Sequence, residues 1–404
     1  MSALPPILIL HNRYQHTGGE ENVVAAERDL LADAGHAAIL REWSNDAITG
    51  LPAQWRAFRQ VTGNPDAVRW LDAVLEETGA GLLHVHNFFP RLSPAIHLAA
   101  AARGVAVVQT LHNYRLSCAA ATFMREGAVC EKCLHSGSHW GVIHRCYRGS
   151  LAGSIASTRM QQATIGSPQW LGSVDRFITL SSFAKDKLVQ AGLPPEKTAV
   201  KGNFLAAPEA SRAGAGPRTG VLYVGRLSAE KGVRQLVDAW RGVPDLPLTL
   251  VGDGPLRNEL EARAPTNISF AGHTDAAGVA RYMAGAKLLV MPSLWYEGFP
   301  LTIVEAFARG LPVIASDIGS LGEIGEGGRT AHLVPPGDGP ALVAAVRELE
   351  QDEAALGQLA ENARASFEQK HSASANLVQL EQIYEDALMA RSTATGGRGK
   401  RGSP

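Results

Sequence analysis

Nowhere in its 404 residues does this chain run about 18 apolar residues without a charge, the least that a membrane-crossing helix needs. Neither sign of charge is in excess. Lys and Arg number 38 against 39 Asp and Glu, a net charge of -1, so the basic footprint of a nucleic-acid binder is missing. No Asp-x-Asp occurs, which removes the usual carboxylate pair for a metal-clamped diphosphate. The glycine fingerprint of a nicotinamide enzyme is incomplete, because Gly252-Asp253-Gly254-Pro255 has no third glycine and reads instead as a helix start with Pro255 in its first turn. Met1–Leu10 has no basic leader or cleavage-like site and reads as a first strand, so a cytoplasmic setting is expected.

What is there is a repeated strand–helix rhythm. Short apolar runs at Ile7–Leu10, Ala37–Leu40, Leu82–Val85, Val105–Gln109 and Phe177–Leu180 alternate with helical spacing, as in Val23, Ala26, Leu30, Leu31 and Ala34 before Gly35. The rhythm restarts at Val221–Val224, Leu248–Val251, Ile268–Phe270, Lys287–Met291 and Pro312–Ala315. Alternation of this kind predicts parallel sheets covered by helices on both faces, and 404 residues suffice for two such α/β domains. We expect a first domain over 1–205, with a cysteine-rich insertion at 113–150, and an Ala-, Gly- and Pro-rich linker at 206–219. A second domain is expected over 220–372, a last helix over 373–391 packing back on the first domain, and a disordered tail over 392–404.

In open α/β sheets ligands bind beyond the carboxyl ends of strands, so the residues that follow each strand are the candidates. After Ile7–Leu10 come His11, Asn12 and then Gly18-Gly19, which either makes a plain turn or lets backbone amides approach a phosphate. After Val221–Val224 come Arg226 and Lys231, either a solvated pair or two cations suited to a diphosphate. After Lys287–Met291, Glu297 precedes a helix and Glu305 lies about two turns further, with Gly298 leaving amides open between them. Carboxylates so placed accept hydrogen bonds from sugar hydroxyls, although two Glu at this spacing are common in any helix.

The run Glu297-Gly298-Phe299-Pro300-Leu301-Thr302-Ile303-Val304-Glu305-Ala306 resembles the E-x7-E motif of retaining GT-B glycosyltransferases, especially glycosyltransferase family 4. Gly225-Arg226 to Lys231-Gly232 is similar to that family's donor-phosphate motif. Val251-Gly252-Asp253-Gly254-Pro255, Ser316-Asp317-Ile318-Gly319, Gly18-Gly19, Thr110-Leu111-His112-Asn113 and Lys201-Gly202-Asn203 follow its order over nearly the whole chain. The resemblance implies two facing Rossmann-like domains with an interdomain cleft. It implies that Arg226 and Lys231 neutralise a donor diphosphate, stabilising the anionic leaving group. Glu305 would hold ribose hydroxyls. Glu297, with the amides of Gly298 and Phe299, would orient sugar and phosphate. Gly18 and Gly19 would close on the diphosphate, and His112 would lie near the transferred sugar. The implied donor is a UDP- or GDP-sugar, with no cofactor or metal needed for catalysis, and the implied acceptor is a glycan or lipid-linked molecule of cell-surface polysaccharide or glycolipid synthesis. Pro300 departs from the family's glycine there and removes one backbone donor.

Cys118, Cys130, Cys133 and Cys146 are all the cysteines of the chain, and the pattern C-x11-C-x2-C-x12-C fits a structural zinc, with His135, His139 and His144 nearby; redox thiols and disulfides are the alternatives. Trp55, Arg56, Phe58, Arg59 and Arg69 place aromatic and basic groups together, suited either to an anionic membrane face or to an ordinary amphipathic helix. A sugar-nucleotide epimerase of the same fold and a non-catalytic nucleotide-sugar scaffold are the competing functions.

Overall fold

The computed structural model of the protein describes residues 4–14, 19–206 and 217–399. These fold into two compact units. The first comprises the described residues up to 122, together with 131–202 and 376 onward; the second comprises 123–130 and 203–375. Residues 207–216, most of the expected linker, lie outside the description, as does Gly18.

In the first unit, strands β1 (Ile7–Arg13), β2 (Ala38–Ser44), β3 (Leu82–Asn87) and β4 (Ala106–Leu111) are followed by a short antiparallel hairpin, β5 (Met124–Arg125) and β6 (Ala128–Val129), which clusters with the second unit. Then come β7 (Arg176–Thr179) and β8 (Thr198–Val200). The sheet order is β2-β1-β3-β4-β7-β8, parallel throughout. Ile7 to Leu10 are fully buried because helices cover both faces, which is why this strand is apolar without alternation. The helix Pro65–Thr78 shows how local signals set the bounds. The Asn64 side chain accepts from the amides of Asp66 and Ala67, Pro65 opens the first turn, and Gly79 closes the helix in the left-handed conformation.

The second unit holds β9 (Val221–Val224), β10 (Leu248–Val251), β11 (Ile268–Gly272), β12 (Leu288–Met291), β13 (Val313–Ser316) and β14 (His332–Val334), in the order β11-β10-β9-β12-β13-β14. This is the doubly wound order in which β9 and β12 flank the point where the winding reverses. In the first unit the reversal falls between β1 and β3.

The last helix, Ala373–Gly399, places Leu380, Ile383, Tyr384 and Ala387 against Ile7, Ile9, Leu82 and Val108 in one buried cluster. Composition predicts a disordered tail from Ser392, but the helix continues to Gly399. The hydroxyls of Ser392, Thr393 and Thr395 donate to carbonyls three or four residues back, so these residues satisfy their polar groups inside the helix. No helix among the described residues is long and apolar enough to cross a membrane.

Candidate functional site

In the second unit the loops after β9 and β12 meet. The β9 loop runs through Gly225 and the exposed Arg226 into a 3-10 turn, Ala229–Lys231. Gly232 follows with φ of 70°, and a Cβ there would stand 1.8 Å from the carbonyl oxygen of Pro292. Glycine therefore allows the turn to lie directly on the β12 loop, where the amide of Leu294 donates to the carbonyl of Glu230 at 2.9 Å. The same closeness brings the Lys231 ammonium onto Glu297, at 2.7 Å from Oε1 and 2.9 Å from Oε2, while the Ser293 hydroxyl donates to Oε1 at 2.6 Å. Glu297 is buried and Lys231 about a quarter exposed. The Lys231 ammonium also lies 5.5 Å from the centre of the Trp295 ring. Beneath them the Tyr223 hydroxyl donates to the carbonyl of Arg226 at 2.9 Å, which fixes the loop that carries Arg226. Burial, with Glu297 and Glu230 nearby, pushes the Tyr223 phenol well above its ordinary range.

Past Glu297, the half-buried Gly298 leads to Phe299, whose carbonyl accepts from the Asn203 amide at 3.0 Å. The helix Leu301–Ala308 then starts from Pro300, with no side-chain cap on its first amides. Glu305 lies in the second turn of that helix, half-buried, and burial pushes its carboxyl up against the opposing effect of Arg309. Gly252-Asp253-Gly254-Pro255 does not start a helix in the expected way: Pro255 sits in a turn ahead of the helix Arg257–Arg263. A Cβ on Gly252 would stand 2.0 Å from the carbonyl oxygen of Gly225, so this glycine serves the packing of the β10 turn under the β9 loop.

The first unit gathers a different set at its own reversal point. Residue His112 follows β4 directly and is half-buried. Its Nε2 lies 2.9 Å from Nδ1 of the fully covered His86 on β3. Burial holds the His112 imidazole well below its usual range. A cavity here is lined by His86, Asn87, Gln109, His112, Asn113 and Arg115. Gly19 opens the helix Gly19–Asp33, whose first turn carries Glu20 and Glu21. Burial, and then the Glu21 charge, pushes the Glu20 carboxyl up to about 8.

Sequence reasoning missed Ser293, Tyr223 and three buried groups behind His112, Glu27, His84 and His86, and took Lys201 only as part of Lys201-Gly202-Asn203, without its ion pair. The two histidines left a signal, since they share one face of β3, whose residues from Leu82 to Val85 are otherwise apolar. Trp55 is exposed on the helix Gly50–Gln60, as is Leu51, while Phe58 packs on the core and Arg69 pairs with Asp66. The four cysteines are thiols, Cys118 buried and the others half-buried. Cys118, Cys133 and Cys146 belong to the first unit and Cys130 to the second.

The sequence model described as "Glycosyl transferases group 1" matches residues 218–352, and that described as "Glycosyl transferase 4-like domain" matches residues 14–203, so together they take in most of the chain. The chain is 33% identical over 238 residues to a glycogen synthase of Mycobacterium tuberculosis, covering 55% of this chain and 56% of that one. It is 34% identical over 179 residues to a phosphatidyl-myo-inositol mannosyltransferase of Mycobacterium leprae, covering 42% and 47%. The chain thus spans about half the length of the curated relatives it matches. Among solved structures, the Anabaena protein Alr3699/HepE in complex with UDP and glucose superposes with a TM-score of 0.65 at 20% identity, covering 94% of this chain and 99% of that one. A sucrose-phosphate synthase of Thermosynechococcus elongatus gives 0.68 at 22% identity, covering 96% and 100%. At these identities the likeness is one of fold, and the fold is the two-domain α/β arrangement known as GT-B.

Proposed function

The chain belongs to the group 1 glycosyltransferases, and from that premise we propose that it moves a sugar from a nucleotide-sugar donor to a glycan or lipid-linked acceptor, retaining the configuration at the transferred carbon. The observation that carries this reading is the bonding of the β9 and β12 loops through Lys231 and Glu297, at the reversal point where doubly wound sheets bind nucleotides. Arg226 and Lys231 would face the diphosphate and stabilise the charge that grows on it as the glycosidic bond breaks. Glu305 would accept from ribose hydroxyls, and Glu297 and the amides of Gly298 and Phe299 would orient the sugar. His112 would lie beside the transferred sugar. The Anabaena protein carries UDP and glucose, which supports UDP-sugars as the first donors to test, with GDP-sugars next. Exposed Leu51 and Trp55 favour an acceptor presented at an anionic membrane.

The test is a thermal-shift and turnover screen of donors, with acceptors offered in the presence and absence of anionic vesicles, repeated on Arg226→Ala. A charge-assisted hydrogen bond contributes about 1.5–3 kcal/mol, so kcat/KM for the donor should fall by roughly tenfold to a hundredfold, with the melting temperature unchanged because Arg226 is exposed. Donor binding without turnover on any acceptor would replace this reading with that of a scaffold, and unaltered kinetics in the variant would remove Arg226 from the site.

Metal has no part in the proposed transfer. Chelation of free magnesium should leave turnover intact, and loss of turnover without unfolding would overturn that statement.

A further inference from the structure

Behind His112 runs a line of buried groups that the transfer reading leaves without a task. His112 Nε2 stands 2.9 Å from His86 Nδ1. His86 Nε2 stands 3.3 Å from Glu27 Oε2, and neither of these two atoms has a hydrogen-bond partner elsewhere among the described residues. The other carboxylate oxygen, Glu27 Oε1, accepts from the Lys201 ammonium at 2.5 Å, and that ammonium also donates to Asn376 Oδ1 at 3.0 Å. Glu27 and Lys201 are each about 1% exposed. Four elements supply the line: the helix Gly19–Asp33, the carboxyl ends of β3 and β4, and the segment after β8. Of these groups only His112 reaches partial exposure.

Glu27, His84 and His86 have the donor types of a cation site. The counter-charge is already built in, however, since Lys201 sits on the carboxylate. Nδ1 of His84 is moreover taken by the Tyr384 hydroxyl at 2.8 Å, and its Nε2 by the Thr110 hydroxyl at 2.7 Å. Burial acts to raise the Glu27 carboxyl, but the Lys201 ammonium and the hydrogen bond from His86 hold Glu27 well below its usual range, as a carboxylate. A carboxylate only accepts, so the nearest hydrogen it can take from His86 is the one on Nε2. A second buried cation is disfavoured where Lys201 already balances the charge, so His86 carries that hydrogen alone and its Nδ1 is a lone pair. The hydrogen between the two rings must then come from His112 Nε2.

We propose that Glu27 and His86 are positioning residues that hold His112 as the Nε2–H tautomer, leaving its Nδ1 lone pair to accept from a substrate hydroxyl. The use of that lone pair rests on the transfer reading; the tautomer does not. Nothing is transferred along the line: each hydrogen stays on its own nitrogen, and the line selects which nitrogen of His112 accepts. The same logic applies wherever a carboxylate sets a histidine tautomer through a hydrogen bond to the ring.

The experiment is nitrogen NMR on the full chain labelled at histidine, with the His112 resonances identified by their loss in His112→Gln. At neutral pH the wild type should show a protonated Nε2 and an unprotonated Nδ1 on His112. His86→Phe keeps the Glu27–Lys201 pair and so keeps the fold; in it His112 should become a mixture of tautomers. In a transfer assay the same variant should lower kcat by about tenfold or more and move the donor KM by less than about twofold. A His112 protonated on Nδ1, or on both nitrogens, overturns the proposal, and so does an unchanged single tautomer in His86→Phe. The tautomer is read without turnover, so this result is separate from the kinetics of Arg226→Ala, which test the transfer reading.

Discussion

Lys231 and Glu297 each hold the other's charge, but unequally. Glu297 is buried and Lys231 is partly exposed, so the two deletions should differ. Lys231→Ala takes the ammonium away from a buried carboxylate that also accepts from the Ser293 hydroxyl, which should cost about 2–3 kcal/mol of stability. Glu297→Gln leaves an ammonium that water reaches, and should cost about 1 kcal/mol. The double variant should be more stable than the sum of the two losses implies, by about 1 kcal/mol, because the pair is lost once and not twice. Urea unfolding of the four proteins reads this directly, and additive losses would show that the contact does not couple the residues. It follows that Arg226, not Lys231, is the clean probe of donor binding, since Lys231→Ala mixes lost binding with lost stability. Both residues were legible in the sequence as candidates, because glycines and a strand end place them. Their pairing was not, because 66 residues separate them and only the strand order brings the loops together. His112 was legible as a candidate only through the resemblance carried by Thr110-Leu111-His112-Asn113. Glu27 was not, since a Glu in the middle of an amphipathic helix looks like a solvated one until β3 places His86 opposite it.

At the scale of elements, the last helix docks through an apolar stripe at Leu380, Ile383, Tyr384 and Ala387 and ends that contact with an ion pair. Arg391 donates to Asp175 Oδ2 from Nε at 3.0 Å and from Nη2 at 2.8 Å, and to the carbonyl of Ser173 at 2.6 Å. Asp175 is buried, and burial pushes its carboxyl up in spite of the Val107 amide and Arg391. Its charge is thus costly to hide and depends on the arginine. Arg391→Met should destabilise the protein by about 3–5 kcal/mol, and adding Asp175→Asn should recover a large part of that by removing the stranded charge. Equilibrium unfolding measures both, and an Arg391→Met variant within about 0.5 kcal/mol of wild type would show that the stripe alone docks the helix. The helix itself was legible from its spacing, but its length was not. Ser, Thr and Gly after Arg391 read as a disordered tail, and hydroxyl bonds within the helix overrode that preference. The long strands were legible wherever both faces are covered, as in Ile7–Leu10. The three-residue strands β8 and β14 were not, since half-exposed residues such as Val200, His332 and Leu333 give neither a run nor an alternation.

The whole molecule carries its titration signature in buried groups of opposite tendency. Burial, its first cause in each case, lowers His11, His97 and His371 to about 4 from 6.5. His84 and His112 are lowered as well. Each such histidine is neutral in the native state where the unfolded chain binds a proton, so unfolding takes up protons between about pH 6.5 and 4 and acid favours it. Glu20 runs the other way. It rises to about 8 from 4.5, so the native state keeps a proton that the unfolded chain has lost, and unfolding releases it as pH rises through that window. Below about pH 6.5 the several histidines outnumber Glu20, and stability should fall with acid at up to about 1.4 kcal/mol per pH unit for each net proton taken up. Above about pH 6.5 Glu20 is the larger influence among these groups, and stability should decline gently toward pH 8. A maximum near pH 6.5 is therefore expected, and the first unit, which holds His11, His84, His97 and His112 against the second unit's His371, should lose stability faster in acid. Denaturant unfolding at about pH 5, 6.5 and 8 checks this, with Glu20→Gln as the control. The control should remove the alkaline decline and leave the acid one in place. Stability that rises from pH 6.5 to 8 in the wild type would mean that Glu20 is ionised in the native protein, with His11, 3.7 Å from its Oε1, as the partner that holds it so.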